Sequence, residues 1–265
     1  MSLPEHSRLS SCNFWVIAHR GASHYAPENT MTAFSMAYQM QSDMIELDVL
    51  LSKDGVPVVI HDLNLKRTTN GTGKVSEHSL KELKVLDAGL RFSDKFRSEK
   101  IPELDEVLSW ASGKISLNIE IKTEAVTDTV QNGIVEKTVN LVRKHQMEKH
   151  VILSSFDYRA LVHLQKLAPE LPKGVLYDRK QAKGMKPVEL VQHYHADAFH
   201  TNWRTLNSRG HSGLLEERIP VFVYTVNSKE RMEKLIKNSV SGIFSNRPDL
   251  LKSIADRDIE NRCTG

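Results

Sequence analysis

The sequence has little of what marks several protein classes. It contains two cysteines, Cys12 and Cys263, near opposite ends of the chain, which leaves no disulfide framework and no cysteine-rich metal site. Aromatic residues make up only 6%, and no apolar run approaches the roughly 18 residues of a membrane-spanning helix. The 36 basic and 33 acidic residues leave a net charge of +3, too small to indicate binding to nucleic acid or to a membrane surface.

The N-terminal segment and the composition indicate an ordinary globular protein. Met1–Asn13 is polar and has no apolar stretch, so no secretory signal is read and a cytoplasmic location is expected; a leader already removed would leave the same pattern. Hydrophobic residues at 40% and charged residues at 26% are typical of globular chains. We expect a single domain over residues 1–265 without stable membrane insertion. The sequence has no apolar stripe typical of a subunit interface, so the oligomeric state is left open.

Short β-rich runs recur along the chain, and most precede a segment with helical spacing. The eight runs are Phe14–Ala18, Met44–Val49, Ile115–Ile121, Val151–Ser154, Gly174–Tyr177, Asp197–His200, Val221–Thr225 and Gly242–Ser245. The clearer helical segments are Thr30–Gln39, Val126–His145, Tyr158–Leu167, Val188–His193, Leu206–Glu217, Lys229–Lys237 and Pro248–Ile254. Eight strand–helix units in about 250 residues predict an α/β fold, a (β/α)8 TIM barrel. A doubly wound open sheet is the alternative, but its Gly-x-Gly-x-x-Gly turn after the first strand is absent.

Two features interrupt the regular alternation. A further strand, Pro57–Ile60, follows the second strand across Lys53-Asp54-Gly55, and Asp-Gly between β-rich runs is a hairpin signal. The next segment, residues 63–100, is polar, with Asn-Gly-Thr-Gly at positions 70–73 and one short helical stretch near Leu80–Leu86. We interpret this segment as an elaborated loop between the hairpin and Ile101–Leu108, where a helix is expected to begin.

Charged residues alternate with apolar residues on two of the predicted strands. Glu46 and Asp48 share one face of the second strand, and Asn118, Glu120 and Lys122 share one face of the third. The apolar face of a strand in a parallel barrel packs against helices, so these polar side chains are expected to point inward. The alternative for either strand alone is an antiparallel strand with one solvated face, and two strands with the same pattern disfavour it.

Several buried carboxylates that converge are unstable without a compensating charge. A divalent cation supplies that charge, and three carboxylates without cysteine suit a hard, oxygen-binding ion better than zinc. We therefore expect Glu46, Asp48 and Glu120 to bind one divalent cation, with the choice between Mg²⁺ and Ca²⁺ left open.

Two histidines are placed near these carboxylates. If the hairpin turns near Asp54, its pairing sets His61 opposite Asp48 or the residue beside it. His19 and Arg20 close the first strand, and the ends of barrel strands are where catalytic groups collect. Arg20 offers planar donors that suit phosphate oxygens.

The segment after Arg20 leads into a helix. Asn29 or Thr30 is expected to be its N-cap. Glu28 is interpreted as an acid in the first turn of the helix, with contact to the site as the alternative. The other histidines are read as surface or structural residues, with His200 at a strand end as a partial exception.

The motifs together resemble the glycerophosphodiester phosphodiesterase family, in family order and over nearly the whole chain. They are Ala18-His19-Arg20-Gly21, Ala26-Pro27-Glu28-Asn29-Thr30, Glu46-Leu47-Asp48-Val49, Val58-Val59-Ile60-His61-Asp62, Leu86-Asp87-Ala88-Gly89, Ile101–Leu108, Leu117–Lys122, Tyr224-Thr225-Val226-Asn227 and Gly242–Pro248. The resemblance implies a barrel of the type shared with phosphatidylinositol-specific phospholipases C, with an insertion after the second strand, where residues 63–100 lie.

Position by position, the resemblance implies roles for seven residues. It implies a metal held by Glu46, Asp48 and Glu120, an acid–base pair formed by His19 and His61, and phosphate binding by Arg20 and Lys122. Phe156, Trp203 and Tyr224 would offer aromatic faces to a choline headgroup, or pack at the barrel rim. The sequence departs from the family at Tyr224, where Trp is usual, and at Asn246, where Asp is frequent, and we expect these departures to affect headgroup fit.

The implied reaction is hydrolysis of small-molecule glycerophosphodiesters, such as glycerophosphocholine, glycerophosphoethanolamine and glycerophosphoglycerol, to sn-glycerol 3-phosphate and an alcohol. Our hypothesis makes His19 the base and His61 the acid, but the reverse assignment is open, as is the choice between the glycerol 2-hydroxyl and water as nucleophile. A lysophospholipase D-type phosphodiesterase is the alternative enzyme, which the polar insertion disfavours. An inactive phosphodiester-binding barrel is the non-enzyme alternative, and it would be expected to lack one of the site residues.

Overall fold

The structure, a computed structural model, describes residues 14–206 and 208–263. The polar segment Met1–Asn13, which includes Cys12, lies outside the described residues. Eight parallel strands form the barrel: β1 (Trp15–His19), β2 (Met44–Leu51), β4 (Ser116–Ile121), β5 (Val151–Ser155), β6 (Lys173–Leu176), β7 (Ala198–Asn202), β8 (Val221–Tyr224) and β9 (Gly242–Ser245). They pair in chain order, and β1 pairs with both β9 and β2, which closes the barrel and confirms the predicted fold class.

Helices follow the strands and cover the outside of the barrel. They are α1 (Met31–Gln39), α2 (Leu80–Val85), α3 (Leu104–Ala111), α4 (Ile134–Lys144), α5 (Tyr158–Leu167), α6 (Pro187–His193), α7 (Ser208–Glu216), α8 (Lys229–Lys237) and α9 (Pro248–Cys263). The predicted helix Val126–His145 was wrong at its start. The backbone at Asn132 is left-handed (φ 58°) and Gly133 is the N-cap, so α4 begins only at Ile134. None of the helices in residues 14–206 and 208–263 has the length and apolar character needed to cross a membrane.

The strand side chains divide between two apolar layers. Ile45, Leu47 and Val49 face outward and are fully buried between the strands and the helices. A smaller cluster that includes Trp15, Phe222 and Phe244 fills the barrel interior. Burial of each large apolar side chain contributes about 1.5–3 kcal/mol to the stability of the fold. Because the apolar residues of β2 are held in the outer layer, the residues that alternate with them face the barrel interior.

The hairpin forms as predicted. The third strand, β3 (Pro57–Val59), runs antiparallel to β2, with Val59 opposite Val49, and Gly55 provides the left-handed position of the turn (φ 76°). One residue further, the Ile60 N–H donates to the Asp48 carbonyl at 3.0 Å. His61 therefore follows directly after the residue opposite Asp48.

Residues 63–100 lie between this hairpin and α3. The segment contains α2 and two short 3₁₀ turns, Val75–Glu77 and Asp94–Phe96. Its start lies next to His61, so its first residues stand at the carboxyl-terminal end of the barrel.

Candidate active site

The strand register brings the three predicted carboxylates together. Asp48 on β2 lies opposite Glu120 on β4, and Glu46 lies opposite His19 on β1. One oxygen from each of the three carboxylates lies within 4.8 Å of the others. The inward orientation expected from the alternation is therefore what the structure shows.

These carboxylates are buried and repel one another. Glu46 is 3% exposed and Asp48 is 1% exposed. Burial, together with neighbouring carboxylates, raises the pKa of Glu46 well above its usual value and raises that of Glu120 to about 7. Although burial alone would raise it, the pKa of Asp48 is lowered, because the charges of Arg20 and Lys122 stabilise the carboxylate.

The donor set fits a hard divalent cation. All three ligands are oxygens, and Asp48 Oδ1 is buried without a hydrogen-bond donor. Three negative charges in one small volume need more compensation than Arg20 and Lys122 supply, and a dication that prefers carboxylate oxygens would provide it. The cluster is thus able to bind a metal ion.

The two predicted phosphate-binding side chains lie on either side of Asp48. Arg20 Nε lies 3.2 Å from Asp48 Oδ2, and Lys122 Nζ lies 3.4 Å from Asp48 Oδ1 and 2.7 Å from Glu120 Oε1. The Arg20 backbone N–H also donates to Glu46 Oε2 at 2.8 Å. Both cations therefore border the cleft next to the acidic cluster.

A left-handed turn holds Arg20 in place. Its φ is 55°, a conformation that costs a residue with a Cβ about 1–2 kcal/mol. Gly21 follows at φ 80°, where a Cβ would lie 2.7 Å from the Ala33 backbone carbon, so only glycine fits. Strain of this kind persists where surrounding contacts enforce it, and it often marks functional sites.

Asn29 belongs to the site and was missed. The expectation that either Asn29 or Thr30 caps α1 is met by Thr30, whose Oγ1 accepts from the Ala33 N–H. Asn29, at φ 58°, instead donates from Nδ2 to Asp48 Oδ2 at 2.9 Å and is 3% exposed. The sequence did contain a signal for this role: Asn29 and Thr30 are both good N-cap residues, and because a helix needs only one, the other was available for a different contact.

His19 lies on the more buried side of the cleft. Its Nδ1 is 2.7 Å from Asn246 Oδ1, and its Nε2 is 3.9 Å from Glu46 Oε2. Burial first, and then the charge of Arg20, lower the pKa of His19 to about 4. The ring is therefore neutral at pH 7, and because an amide oxygen only accepts, its proton is assigned to Nδ1.

Asn246 supports His19. The expectation that its departure from the family pattern affects headgroup fit does not agree with its position, because its oxygen contacts the histidine ring and not the aromatic wall of the cleft. The Asn246 N–H donates to Asn227 Oδ1 at 2.9 Å, which fixes the turn after β9.

His61 lies on the more exposed side, in a network of charged side chains. Its Nδ1 is 2.6 Å from Asp62 Oδ1, and Asp62 Oδ2 accepts from Arg67 Nε at 2.5 Å. The hydrogen bonds from Arg67, followed by that to His61, lower the pKa of Asp62 strongly even though burial opposes the shift. Asp62 is therefore ionised, and it holds a negative charge against the imidazole.

The same network reaches Arg20 through Glu28. Arg67 donates from both terminal nitrogens to Glu28 at 2.7 Å, and Arg20 Nη1 donates to Glu28 Oε1 at 2.8 Å. The interpretation of Glu28 as an acid at the start of a helix was wrong, since α1 begins at Met31 and Glu28 contacts arginines. Arg67 was missed because it lies in a polar segment with several charged residues, and no sequence pattern there distinguishes one of them as a site residue.

A cleft of about 210 Å³ opens over these groups. Phe156 and Tyr224 form one wall, with their rings edge to face at 6.0 Å. Trp203 is not among the lining residues: the guanidinium groups of Arg204 and Arg231 lie over its ring. The lining comprises His19, Arg20, Glu46, His61, Asn118, Glu120, Lys122, Phe156, Leu176, Tyr224, Thr225 and Phe244.

His200, the partial exception among the remaining histidines, is a core residue. It is fully buried inside the barrel, with its ring 5.3 Å from Phe222 and from Phe244. Gly174 leaves room for it, because a Cβ there would lie 2.5 Å from the imidazole. Burial lowers the pKa of His200 to about 3, so it is neutral at pH 7.

Comparison with known sequences agrees with this geometry. Residues 19–250 match the model of the glycerophosphoryl diester phosphodiesterase family. A glycerophosphodiester phosphodiesterase of Caldanaerobacter subterraneus subsp. tengcongensis is 41% identical over 237 residues, which cover 89% of this chain and 95% of that protein. One from Bacillus subtilis is 34% identical over 261 residues, covering 93% of this chain and 88% of the relative.

Solved structures show the same architecture. A phosphodiesterase of Oleispira antarctica, in complex with the product sn-glycerol-3-phosphate, superposes with a TM-score of 0.84 at 32% identity, covering 91% of this chain and 96% of that one. A glycerophosphodiester phosphodiesterase of Agrobacterium tumefaciens gives 0.79 at 32% identity, covering 91% and 99%. With its closed barrel and this cleft, the chain belongs to the glycerophosphoryl diester phosphodiesterase family of enzymes.

Proposed function

We propose that the protein hydrolyses glycerophosphodiesters to sn-glycerol 3-phosphate and an alcohol in a metal-dependent reaction. One observation carries the proposal: a single cleft holds the acidic cluster, two cations and two histidines in unlike environments. The relatives named for this activity, and the neighbour bound to sn-glycerol-3-phosphate, support the choice of substrate.

Substrate binding depends on charge balance. The three carboxylates face Arg20 and Lys122, and one bound dication would give the site a formal charge of about +1 before substrate enters. A phosphodiester bears one negative charge and would bring the site close to neutrality. Arg20 is suited to bind two phosphoryl oxygens through its planar donors, and Lys122 acts as a point charge.

Glu46, Asp48 and Glu120 would hold the cation, which we propose is Mg²⁺ or Ca²⁺, because both take carboxylate oxygens. When bound, such an ion withdraws electron density from the phosphoryl oxygens and stabilises the charge that develops there. Asn29 orients Asp48 through its amide, so that the carboxylate keeps one direction in the cleft.

The surroundings of the histidines favour His19 as the general base. The ring is neutral, its Nδ1 proton is engaged by Asn246, and its Nε2 lies on the cleft side near Glu46. Nε2 therefore has a lone pair with which to accept a proton from the nucleophile.

His61 is then the general acid. Asp62 Oδ1, 2.6 Å from Nδ1, orients the ring, so that the other ring nitrogen is the one that would donate a proton to the leaving alkoxide.

Either the glycerol 2-hydroxyl or a water molecule is the nucleophile that His19 activates. Attack by the 2-hydroxyl would release the alcohol first and form a cyclic glycerophosphate, which water then opens. A ³¹P NMR time course tests this route. No cyclic signal, together with full turnover of a 2-deoxyglycerol analogue, would assign the attack to water.

The experiment that tests the function is release of glycerol 3-phosphate from glycerophosphocholine. Chelated protein is assayed first, and then with added Mg²⁺ or Ca²⁺. Release that depends on the metal is expected. Release from an acylated lysophospholipid alone would support the lysophospholipase D alternative, and no turnover of any diester would support a binding barrel.

Two wider features stay predictions. We propose that residues 1–265 form one domain with an insertion at residues 63–100, which limited proteolysis of the full chain would check. A cytoplasmic location is also expected, and fractionation of the native cells would test it.

A further inference from the structure

Asn118 lines the cleft but belongs neither to the acidic cluster nor to the histidine pair. It faces inward from β4, as the alternation along that strand predicts, and it is 1% exposed. An amide in so buried a position is expected to have partners for both its carbonyl and its NH2 group. The hydrogen bonds of Asn118 therefore bear on its function.

One half of this amide is paired and the other half is not. Asn118 Nδ2 donates to Ser154 Oγ at 3.0 Å, and Ser154 is fully buried on β5. Asn118 Oδ1 is buried without a hydrogen-bond donor. A buried carbonyl without a donor has lost its hydration without compensation, so an arrangement that pairs this oxygen is more stable.

Rotation of the amide by half a turn pairs the oxygen. The Ser154 hydroxyl can donate as well as accept, so it can donate to the Asn118 carbonyl in place of accepting from the NH2 group. The contact between the two side chains is then kept. The NH2 group takes the position of the unpaired oxygen, because the two ends of an amide have nearly the same shape, and it needs an acceptor there.

The strand register offers Glu46 as that acceptor. Glu46 on β2 lies directly opposite Asn118 on β4, and both side chains line the same cleft. Paired strands lie about 4.8 Å apart, which is within reach of a hydrogen bond between two inward side chains. Glu46 Oε2 already accepts from the Arg20 backbone N–H. A donor on β4 would therefore hold the same carboxylate from its other side.

We propose that Asn118 is a positioning residue for the cation site. Its carbonyl accepts from Ser154, and its NH2 group donates to the Glu46 carboxylate and keeps that carboxylate directed at the ion. This inference rests on the proposed function, in which Glu46 is a metal ligand. Hydrogen bonds that orient a ligand in this way raise metal affinity by about 10–100-fold. Asn118 would act on the ion only through Glu46.

A double-mutant comparison of metal affinity tests this role. Binding of Mn²⁺, a hard ion that carboxylates also take, is measured from the EPR signal of the free ion, so no turnover of substrate is needed. Asn118→Leu has a similar volume and makes no hydrogen bonds. We expect it to weaken binding about tenfold in wild type and in Glu120→Ala. In Glu46→Ala, where no carboxylate remains to be positioned, the loss should be less than about twofold.

Asn140→Leu is the matched control, since Asn140 is exposed on α4 and should leave Mn²⁺ affinity unchanged in all three backgrounds. Ser154→Ala should weaken binding by about threefold, because the amide keeps its NH2 group but loses the partner that orients it. If Asn118→Leu does not fold, Ser154→Ala is compared in the same three backgrounds, and its effect should likewise vanish in Glu46→Ala.

The outcomes separate this inference from the proposed function. Equal losses in all three backgrounds would mean that Asn118 supports the fold or contacts the ion itself, and would overturn the positioning role. Wild-type affinity in Asn118→Leu would also overturn it, and would leave the metal-dependent reaction in place. Wild type that binds no Mn²⁺, Mg²⁺ or Ca²⁺ would overturn the metal-dependent reaction and this inference together.

Discussion

The two sides of the cleft present the same side chain in opposite surroundings. On the buried side, His19 has a neutral amide, Asn246, as its partner. On the solvent side, His61 has an ionised carboxylate, Asp62, that is tied to Arg67. The side chain of His19 is 18% exposed and that of His61 is 30% exposed.

The difference agrees with the proposed division of roles, in which one residue type provides both the base and the acid. Burial and an uncharged partner favour the neutral ring of His19, whereas the Asp62 carboxylate orients the ring of His61 through its Nδ1. The local sequence predicted this difference only in part: His61 is followed by its partner Asp62, but His19 is followed by Arg20 and Gly21 and its partner Asn246 is distant in sequence. The following predictions test the comparison from the largest expected effect to the smallest.

Removal of either histidine should have the largest effect. His19→Ala and His61→Ala should each lower kcat for glycerophosphocholine by about 10²–10⁴-fold, the range for general acid–base catalysis. A nitrophenyl glycerophosphate diester, whose leaving group needs no proton, should distinguish the two. It should restore much of the rate to His61→Ala and little to His19→Ala.

His193→Ala provides the control, because this histidine is exposed on α6 and should leave kcat unchanged. Equal recovery of both variants with the nitrophenyl ester would contradict the division of roles between the two sides. Recovery of His19→Ala alone would reverse it.

Loss of the Asn29 amide should weaken metal binding. Asn29→Gly keeps the left-handed backbone but removes the donor to Asp48, so the affinity for Mg²⁺ or Ca²⁺ should fall by about 10–100-fold. Isothermal titration with each ion measures the change.

Asn132→Gly is a matched control for that change, because Asn132 has the same φ of 58° at an exposed position before α4. It should leave metal affinity at the wild-type value. If Asn29→Gly also binds metal as wild type does, Asn29 does not orient Asp48.

Arg67 connects Asp62, the partner of His61, with Glu28, the partner of Arg20, and its loss should have a smaller effect. Arg67→Ala leaves Asp62 and Glu28 without their shared guanidinium, so His61 and Arg20 lose orientation and kcat should fall roughly tenfold. Arg67→Lys should recover little, since an ammonium group cannot reproduce the paired contacts. Lys66→Ala, at the exposed neighbouring position, should change nothing; an equal loss there would show that the segment, and not the guanidinium, is responsible.

The smallest change in maximal rate is expected for Asn246→Asp, which makes the buried side resemble the solvent side. A base must be neutral, and with the pKa of His19 at about 4 the acidic limb of the kcat/KM profile lies below pH 5. A carboxylate at position 246 raises that pKa, so the limb should move up by about one pH unit or more. Activity then falls at pH 5 and changes little at pH 8.

Asn246→Ala serves as the contrast in the same profile. It removes the acceptor without adding charge, so activity should fall across the whole pH range. The limb should not move up, because the hydrogen bond to Asn246 raises the pKa of His19. A limb that does not move in Asn246→Asp would mean that His19 is not the base that the profile reports.

The sequence predicted the parts of the site that follow from periodic structure. Alternation along β2 and β4 placed Glu46, Asp48 and Glu120 on one face, and the Asp54-Gly55 turn placed His61 beside Asp48. Both inferences depend on the regular geometry of strands, which local sequence determines well.

Residues brought in by irregular backbone could not be predicted in this way. Asn29 reaches Asp48 from a left-handed position, and Arg67 reaches Glu28 across 39 positions of sequence. Of the two roles left open for Trp203, rim packing agrees with the structure, because Arg231 on α8 lies over its ring and Trp203 is not among the residues that line the cleft. Such contacts depend on how loops fold over the barrel, and no local pattern encodes them.

The hydrogen bond between His19 and Asn246 joins residues 227 positions apart, on the first strand and just after the last. During synthesis, His19 therefore acquires this partner only after β9 has emerged and paired with β1. Contacts of such long sequence separation form late, because the chain between them must first be ordered. The rate at which catalytic activity recovers during refolding should therefore report the rate of barrel closure. A nascent chain that ends before β9 should be inactive.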